Sequence, residues 1–165
     1  YVIPVFKSCF IRPGTSCARD NLQDVNLSGA NLDNMDFTDA YMKNTKLKNT
    51  SLNRTNFTGA WMRFADFSDA KGVRTKLGAR SLADANFSGV TLNFPVATGT
   101  SFVRSKWKEA KVQKGDFSSS NFYRANFNSA TLVKSDFRAT KLRDVSWLGA
   151  LVLGGSFEGA VGITP

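Results

Sequence analysis

A five-residue spacing of apolar residues runs through almost the whole of this 165-residue chain. Of the 29 positions that recur every five residues from 22 to 162, 26 are Leu, Met, Phe, Trp or Val, and the exceptions are Gly72, Ala97 and Gly162. Two residues before these positions, 25 of the 29 residues are Ala, Ser, Thr, Gly or Val. A helix places apolar residues about 3.6 apart and a strand about 2 apart, so a spacing of five fits neither. The chain must therefore turn a corner in each five-residue unit.

A fixed short repeat predicts a solenoid, in which each unit buries its apolar side chain by stacking on its neighbours. If four units complete one square coil, residues twenty apart stack at the strand spacing of about 4.8 Å. The apolar residue then fills the tube, the small residue two places earlier also points inward, and the other three face water. The alternative is an ordinary β-sandwich with an accidental rhythm, which 26 in-phase positions out of 29 disfavour.

Several units share a motif in which a small residue is followed by Asn or Asp, then Leu or Phe, then two variable positions. They are ANLDN at 30–34, ADFSD at 65–69, ANFSG at 85–89 and ANFNS at 125–129. The sequence thus resembles the pentapeptide-repeat family over about 145 of its 165 residues. The resemblance implies an all-β fold, a right-handed quadrilateral parallel β-helix of about seven coils. We expect this β-helix over residues 20–165 and a short N-terminal cap over residues 1–19.

The composition argues against an enzyme. The chain has no His and only two Cys, which excludes a histidine general base, a His zinc site and a four-thiolate metal site. Neither glycine-rich phosphate-loop motif, GxxxxGK[ST] or GxGxxG, occurs. Carboxylates pair at Asp36 with Asp39 and at Asp66 with Asp69, but these are corner positions, where Asp commonly accepts backbone hydrogen bonds. We expect no catalytic residue, no metal, no cofactor and no small-molecule substrate.

The net charge of +9 favours anionic partners. Several proteins of the family that this chain resembles protect bacterial topoisomerase by imitating the shape and negative charge of DNA, and the sign here is opposite. The expected function is a non-catalytic structural or protein-interaction module. The alternative is a binder of nucleic acid or another polyanion through a basic face. Salt distinguishes the two, because polyanion binding weakens steeply as counterions are released and apolar docking does not.

Folding the sequence at a period of twenty defines four faces, A to D, centred on positions 22, 27, 32 and 37 and their twenty-residue equivalents. Face A carries a predicted aromatic and basic patch: Tyr41, Trp61, Phe64, Lys43, Arg63, Arg104 and Arg124. Face C carries a predicted basic stripe: Arg54, Arg74, Lys114 and Lys134. Basic residues interleaved with aromatics can form a stacking platform for single-stranded nucleic acid. The alternative is a solvated wall whose long side chains cover the coil edges.

Two segments, 71–80 and 93–100, depart from the repeat. Gly72 removes a core side chain, and Arg80 occupies a position that elsewhere holds a small residue. Because a buried unpaired guanidinium is costly, we expect Arg80 to leave the core through a local bulge. Pro95 is expected to remove a donor from the strand ladder, and Ala97 to underfill the core. Either segment could carry binding as a loop, or could simply be a degenerate repeat.

The C-terminal coils place apolar residues at outward positions. They are Val133, Leu148, Leu151, Leu153, Val161 and Ile163. An uncovered apolar edge predicts association. We therefore predict an interface here, either for a second copy stacked end to end or for a partner protein.

Cys9 and Cys17 flank RPGT at 12–15, which can turn the chain back on itself, so a disulfide and a reduced pair packed in the cap are both open. A disulfide would indicate an oxidising compartment. No apolar run is long enough for a membrane span, and no signal peptide is visible. The chain also begins without Met. Together these features favour the periplasm or thylakoid lumen over the cytoplasm.

Overall fold

Short β-strands are the regular elements of the computed structural model, which describes residues 5–6 and 9–163. The strands are β1 (Val5–Phe6), β2 (Cys9–Phe10), β3 (Lys71–Val73), β4 (Thr91–Asn93), β5 (Lys111–Gln113), β6 (Thr131–Val133) and β7 (Leu151–Leu153). β1 and β2 form an antiparallel hairpin, whereas β3 to β7 form one parallel sheet in chain order. Strands this short are what a chain can form when it turns every five residues.

Every parallel pairing joins residues that are twenty apart. Lys71 lies opposite Thr91 in the sheet, and isolated bridges keep the same step from Ser16 at one end to Val161 at the other. The five strands of face C span four coils, and the bridges continue the coil in both directions. The fold prediction is confirmed: the chain is a right-handed quadrilateral parallel β-helix, and its laps keep to twenty residues.

The corners require an unusual backbone at the last residue of nearly every unit. The φ angle is +59° at Asn34, and glycine takes this place at Gly59 with φ of +73°. The N–H of Ala60 then donates to the carbonyl of Phe57 at 3.0 Å and closes the corner. A positive φ at the third residue together with this bond defines a type II turn.

Asn and Asp recur before the core residue because their side chains cap the next corner. The Oδ1 of Asn26 accepts a hydrogen bond from the N–H of Ser28 at 3.0 Å. Asp36 and Asp66 do the same for the residues two places on, each at 2.9 Å. The expectation that corner carboxylates accept backbone hydrogen bonds is confirmed for Asp36 and Asp66, whereas no such bond is made by the side chains of Asp39 and Asp69 among the described residues.

Aromatic rings fill the axis of the tube. One column on face B stacks a ring per coil, with successive centroids 4.7, 4.2, 5.6 and 4.9 Å apart, in the order Phe67, Phe87, Trp107, Phe127 and Trp147. Rings from the adjoining face A and the opposite face D meet this column edge-on, as Phe102 and Phe117 do against Trp107. Stacked and edge-on contacts each add about 0.5–1.5 kcal/mol beyond the area they bury. The aromatic core therefore couples successive coils, in addition to the backbone hydrogen bonds between them.

The Arg80 side chain leaves the core, as predicted. Ala79 is buried in its place, and Arg80 is exposed with its guanidinium 5.1 Å from the ring centre of Trp61. The N–H of Arg80 donates to the carbonyl of Ala60 at 2.9 Å, a bond that the residue after the corner makes in regular units. Ser81 still lies opposite Trp61, so the bulge changes one corner without shifting the twenty-residue register.

The expectation that Pro95 removes a ladder hydrogen bond is wrong. The neighbouring residues donate the ladder bonds, from Phe94 to the carbonyl of Gln113 at 2.9 Å and from Val96 to that of Thr75 at 3.0 Å. In regular units, the residue equivalent to Pro95 uses its N–H only to close the corner. Proline is therefore tolerated there without a gap in the sheet.

Gly72 is kept small by a neighbouring hydroxyl. The Oγ1 of Thr75 donates to the carbonyl of Leu52 at 2.8 Å. A Cβ on Gly72 would lie 2.2 Å from this Oγ1 of Thr75. We expect Gly72→Ala to lower the free energy of unfolding by about 1–3 kcal/mol, the usual cost of overpacking a core. Chemical denaturation measures the change.

Gly78→Ala is the matched control for this prediction, because nothing lies within 4 Å of a Cβ built at Gly78. Both substitutions lower the conformational entropy of the unfolded chain by the same amount. This effect alone raises the free energy of unfolding by about 0.4–1 kcal/mol. Equal unfolding free energies for the two variants would show that the Thr75 hydroxyl does not limit the space at Gly72.

The N-terminal end is held by a disulfide between Cys9 and Cys17, with the two Cα atoms 5.1 Å apart. Both cysteines are buried. The solenoid register already includes Ser16, which bridges to Asp36. The division into a cap at 1–19 and a β-helix at 20–165 stays a prediction, and residues 1–4 and 7–8 of that cap lie outside the described residues.

Candidate interaction surfaces

The C-terminal coils expose the apolar residues that the sequence predicts to form an interface. Leu148 is 79% exposed, Leu151 50% and Leu153 49%. Val161 and Ile163 are exposed as well, whereas Val133 is half-buried. Five of the six predicted residues are thus exposed, and they are distributed over faces B, C and A of the last coils.

An open depression of about 340 Å³ lies at the same end of the tube. Its lining residues are Trp147, Ala150, Val152, Phe157 and Ile163. Sequence reasoning missed Trp147, Val152 and Phe157 because their positions mark them as core. The available signal was their place in the last lap, since no residue twenty further on in the described chain covers them. Segment 145–163 has one charged residue, Glu158, so this surface is almost purely apolar.

Face A carries a patch of exposed rings near the N-terminal end. Tyr41 and Trp61 are bridged across adjacent coils and are 47% and 46% exposed, and Phe64 is 47% exposed. Gln23 and Lys43 complete an open groove beside Tyr41 and Trp61. Of the predicted patch, Tyr41, Trp61 and Lys43 thus lie side by side, and a role for the patch stays a prediction.

The arginines of face A are partly neutralised by a carboxylate that sequence reasoning missed. Asp84 accepts two hydrogen bonds from Arg104, at 2.7 and 2.9 Å, and one from Arg63 at 3.2 Å. The bonds from Arg104, joined by the bond from Arg63, lower the pKa of the Asp84 carboxyl from its ordinary value. The sequence spacing could have predicted these contacts, because Asp84 lies one lap from Arg104 and about one lap from Arg63.

Guanidinium groups lie over three rings of face A, those of Trp61, Phe64 and Tyr123. Arg80 lies 5.1 Å from the ring centre of Trp61, and Arg63 lies 5.4 Å from that of Phe64. Further along the tube, Arg124 lies 5.0 Å from the ring centre of Tyr123. Such cation–π contacts contribute about 0.5–1 kcal/mol each at exposed sites. A nucleic-acid base would have to compete with these guanidinium groups at the three rings, whereas Tyr41 has no such contact among the described residues.

Face C presents its predicted cations without a carboxylate among them. Arg54, Arg74, Lys114 and Lys134 are exposed at successive corners of one column, interrupted once by Phe94. The Arg74 guanidinium lies 5.1 Å from the Phe94 ring centre, and the Lys114 ammonium lies 5.3 Å from it. Sequence reasoning missed Phe94, although it lies twenty residues from each of its two cations.

Cys9, Cys17 and Asp20 bring three potential ligand atoms within 4.8 Å of one another. Both sulfur atoms are joined in the disulfide, however, and a metal is bound by thiolates rather than by disulfide sulfur. The cluster is therefore a structural feature of the N-terminal end. Within the described residues, no helix has the length and hydropathy needed to cross a bilayer.

A tube of twenty-residue laps, with an aromatic axis and polar walls, defines a parallel β-solenoid repeat protein. A family model described as pentapeptide repeats, in 8 copies, matches residues 21–59, 36–71 and 108–146. Because these ranges cover more than half of the sequence, the chain belongs to the pentapeptide-repeat family. The resemblance noted from the motif is thereby confirmed.

The solved structure of one similar protein agrees with this fold. A trypsin-treated variant of QnrB1, a plasmid-mediated fluoroquinolone resistance protein, aligns with a TM-score of 0.63 and 17% identity over 89% of this chain and 70% of its own. HetL is a pentapeptide repeat protein involved in heterocyst differentiation regulation in the cyanobacterium Nostoc sp. strain PCC 7120. It aligns with a TM-score of 0.30 and 17% identity over 93% of this chain and 92% of its own.

A pentapeptide repeat protein from the Arabidopsis thaliana thylakoid lumen gives a TM-score of 0.34 and 16% identity over 76% and 67% of the two chains. No curated protein matches the chain significantly. At these identities the likeness concerns the fold alone.

Proposed function

We propose that this pentapeptide-repeat protein is a non-catalytic interaction module that associates through the apolar surface of its C-terminal coils. The observation that carries the proposal is the exposure of Leu148, Leu151 and Leu153 beside a depression lined by core side chains. Contiguous exposed apolar surface of this kind marks association sites in soluble proteins. The occupant that best fits is a second copy of the chain, stacked end to end.

Three properties support a second copy as the occupant. Among the described residues, β7 is an edge strand of the five-stranded sheet, and an edge strand readily pairs with another strand. A two-fold arrangement places the same apolar patch on both sides and so is self-complementary. Although each chain carries +9, Glu158 is the single charged residue in 145–163, so few like charges are brought together at this end.

We expect the chain to sediment as a dimer of 18.1 kDa subunits, and the combined change Leu148→Ser, Leu151→Ser and Leu153→Ser to make it a monomer. Removing three exposed leucines should raise the dissociation constant at least about a hundredfold, which corresponds to about 2.8 kcal/mol. Sedimentation equilibrium over a range of concentrations measures this constant.

Val73→Ser with Val96→Ser is the control for surface apolarity, because both valines are exposed but lie far from the C-terminal coils. This control should keep the dimer. A wild-type chain that stays monomeric at high concentration would overturn the second copy as occupant, and recovery of a partner protein that depends on the three leucines would then identify the alternative. If neither the mass nor partner recovery responds to the leucine changes, the surface has no role in association.

Imitation of DNA is a less suitable function. A DNA mimic needs negative charge to dock on the basic surface of its DNA-binding target, and this chain carries +9. The likeness to a fluoroquinolone resistance protein does not alter this, since it concerns the fold. For the location of the protein, we propose an oxidising, extracytoplasmic compartment such as the periplasm or thylakoid lumen, with the cytoplasm as the alternative. The buried Cys9–Cys17 disulfide supports it.

A further inference from the structure

Face C has a long basic stretch without acidic residues. Between Ser51 and Lys134, its outward positions hold six cations and no Asp or Glu. The cations are Arg54, Lys71, Arg74, Lys111, Lys114 and Lys134. The nearest carboxylate on this face, Asp33, lies one coil before Ser51 and is engaged by the Ser51 hydroxyl at 2.6 Å.

These six cations make no ion pair among the residues that the structure describes, whereas Arg63 and Arg104 of face A share Asp84. Like charges at strand spacing repel each other unless an anion lies between them. Face C thus carries a row of positive charge that only an external anion can neutralise.

The cations are also held in a regular row. Arg54, Arg74, Lys114 and Lys134 occupy equivalent corners with φ between +51° and +57°, and successive coils are about 4.8 Å apart. Phe94 fills the missing position of this column, with Arg74 over one side and Lys114 over the other. A linear ligand that runs along the tube axis with one negative charge per coil would match this row.

Neutral polar side chains lie beside the cations on the same sheet. Thr91, Asn93, Gln113 and Thr131 are outward, and none of them makes a side-chain hydrogen bond within residues 5–6 and 9–163. Hydroxyl and amide groups of this kind can pair with sugar hydroxyls. They can also donate to phosphate oxygens, so the choice between a sugar chain and a nucleic acid depends on the other residues of this face.

We infer that face C binds a linear acidic polysaccharide, with the sugar chain along the tube axis and one carboxylate per sugar facing the cation column. A pyranose ring with its glycosidic bond is close in length to the strand spacing of about 4.8 Å. The spacing of sugar units along the ligand therefore resembles the spacing of successive coils along the tube. Single-stranded nucleic acid fits less well, because Phe94 is the one aromatic residue at the outward positions of face C between Ser51 and Lys134, and Arg74 and Lys114 already contact its ring. This surface is separate from the C-terminal coils.

The test uses the full chain and an oligogalacturonate long enough to span the five strands of face C, with binding followed by calorimetry. The combined change Arg54→Asn, Arg74→Asn, Lys114→Asn and Lys134→Asn should weaken binding about tenfold or more at low salt. Asn is well suited to a positive φ, and it already occupies equivalent corners at Asn34 and Asn44, so these changes should leave the fold intact.

A control with the same loss of charge replaces four exposed lysines of face B with Asn: Lys46, Lys48, Lys106 and Lys108. If binding depends on face C, this control should stay within about twofold of wild type under the same salt conditions. Equal losses in the two variants would mean that net charge alone governs binding, and would overturn the inference.

Two further probes separate carbohydrate recognition from charge. A neutral oligoglucan should not bind, and a single-stranded oligodeoxynucleotide of equal charge should bind more weakly than the oligogalacturonate. An oligodeoxynucleotide that binds as tightly as the oligogalacturonate would overturn the choice of ligand. No measurable binding of oligogalacturonate by the wild-type chain would overturn the whole inference and leave the C-terminal association untouched, since that is measured by mass.

Discussion

Replacing Trp107 with Ala is expected to lower the free energy of unfolding by about 3–5 kcal/mol. Trp107 is fully buried at the middle of the tube, with its ring centre 4.2 Å from that of Phe87 and 5.6 Å from that of Phe127. Its indole N–H donates to the Ser105 hydroxyl at 2.8 Å, so the loss also leaves a buried polar group without its partner.

The solenoid should make this loss more damaging than in a globular core. Each coil contacts only its neighbours, so a cavity at one level weakens the coupling between the two halves of the tube. We expect the unfolding transition of Trp107→Ala to broaden as well as to shift, as measured by denaturant titration with circular dichroism. A transition that shifts without broadening would show that the coils stay coupled through the ladder rather than through the aromatic column.

Trp61→Ala is the matched control, because the same residue type is replaced at a site 46% exposed. Its main loss is the contact with the Arg80 guanidinium, about 0.5–1 kcal/mol. If Trp61→Ala costs as much as Trp107→Ala, the stacked core is not the main source of stability.

Reduction of the Cys9–Cys17 disulfide is expected to destabilise the chain by about 2.5 kcal/mol, the chain-entropy value for a loop of this size. The bond spans a sequence separation of 8 and closes the end of the tube, where Cys17 N–H donates to the Asp36 carbonyl at 2.8 Å. Comparison of the oxidised and reduced wild-type chains is preferable to substitution, because both forms keep the two buried sulfur atoms.

The effect of reduction should be local. Hydrogen exchange should quicken at the amides of Cys17 and Asp36, whereas the amide of Lys111, which donates to Val90 in the middle of the tube, should keep its protection. Uniform loss of protection would mean that the N-terminal end nucleates the whole solenoid. Unchanged exchange at Cys17 would mean that the ladder holds this end without the disulfide.

The sequence predicted the fold because one geometric constraint is repeated at almost every unit. An apolar residue every five positions can be buried only if the chain turns in each unit, and twenty residues per lap then follow for a square coil. The assignment of residues to walls depends on that lap length alone. Trp61 beside Tyr41 and Lys134 above Lys114 were therefore predictable from arithmetic.

Partner choice among wall residues was not predictable in this way. The period places Asp84 near Arg63 and Arg104, but it does not determine that one carboxylate accepts bonds from both. That outcome depends on which rotamers the corner backbone allows and on which groups lie one lap away. The same holds for Phe94, whose ring lies between two cations.

The five-residue pattern by itself thus determined the tube, its register and the residues that point inward, because burial of apolar surface depends on position along the chain. The tertiary structure alone decided which charges are neutralised, how Arg80 leaves the core, and that Trp147, Val152 and Phe157 form an open surface at the last lap. The physical reason is that a residue in the core register is buried only when the adjoining laps cover it. Hydrogen bonds and cation–π contacts likewise depend on side-chain directions that the repeat leaves free.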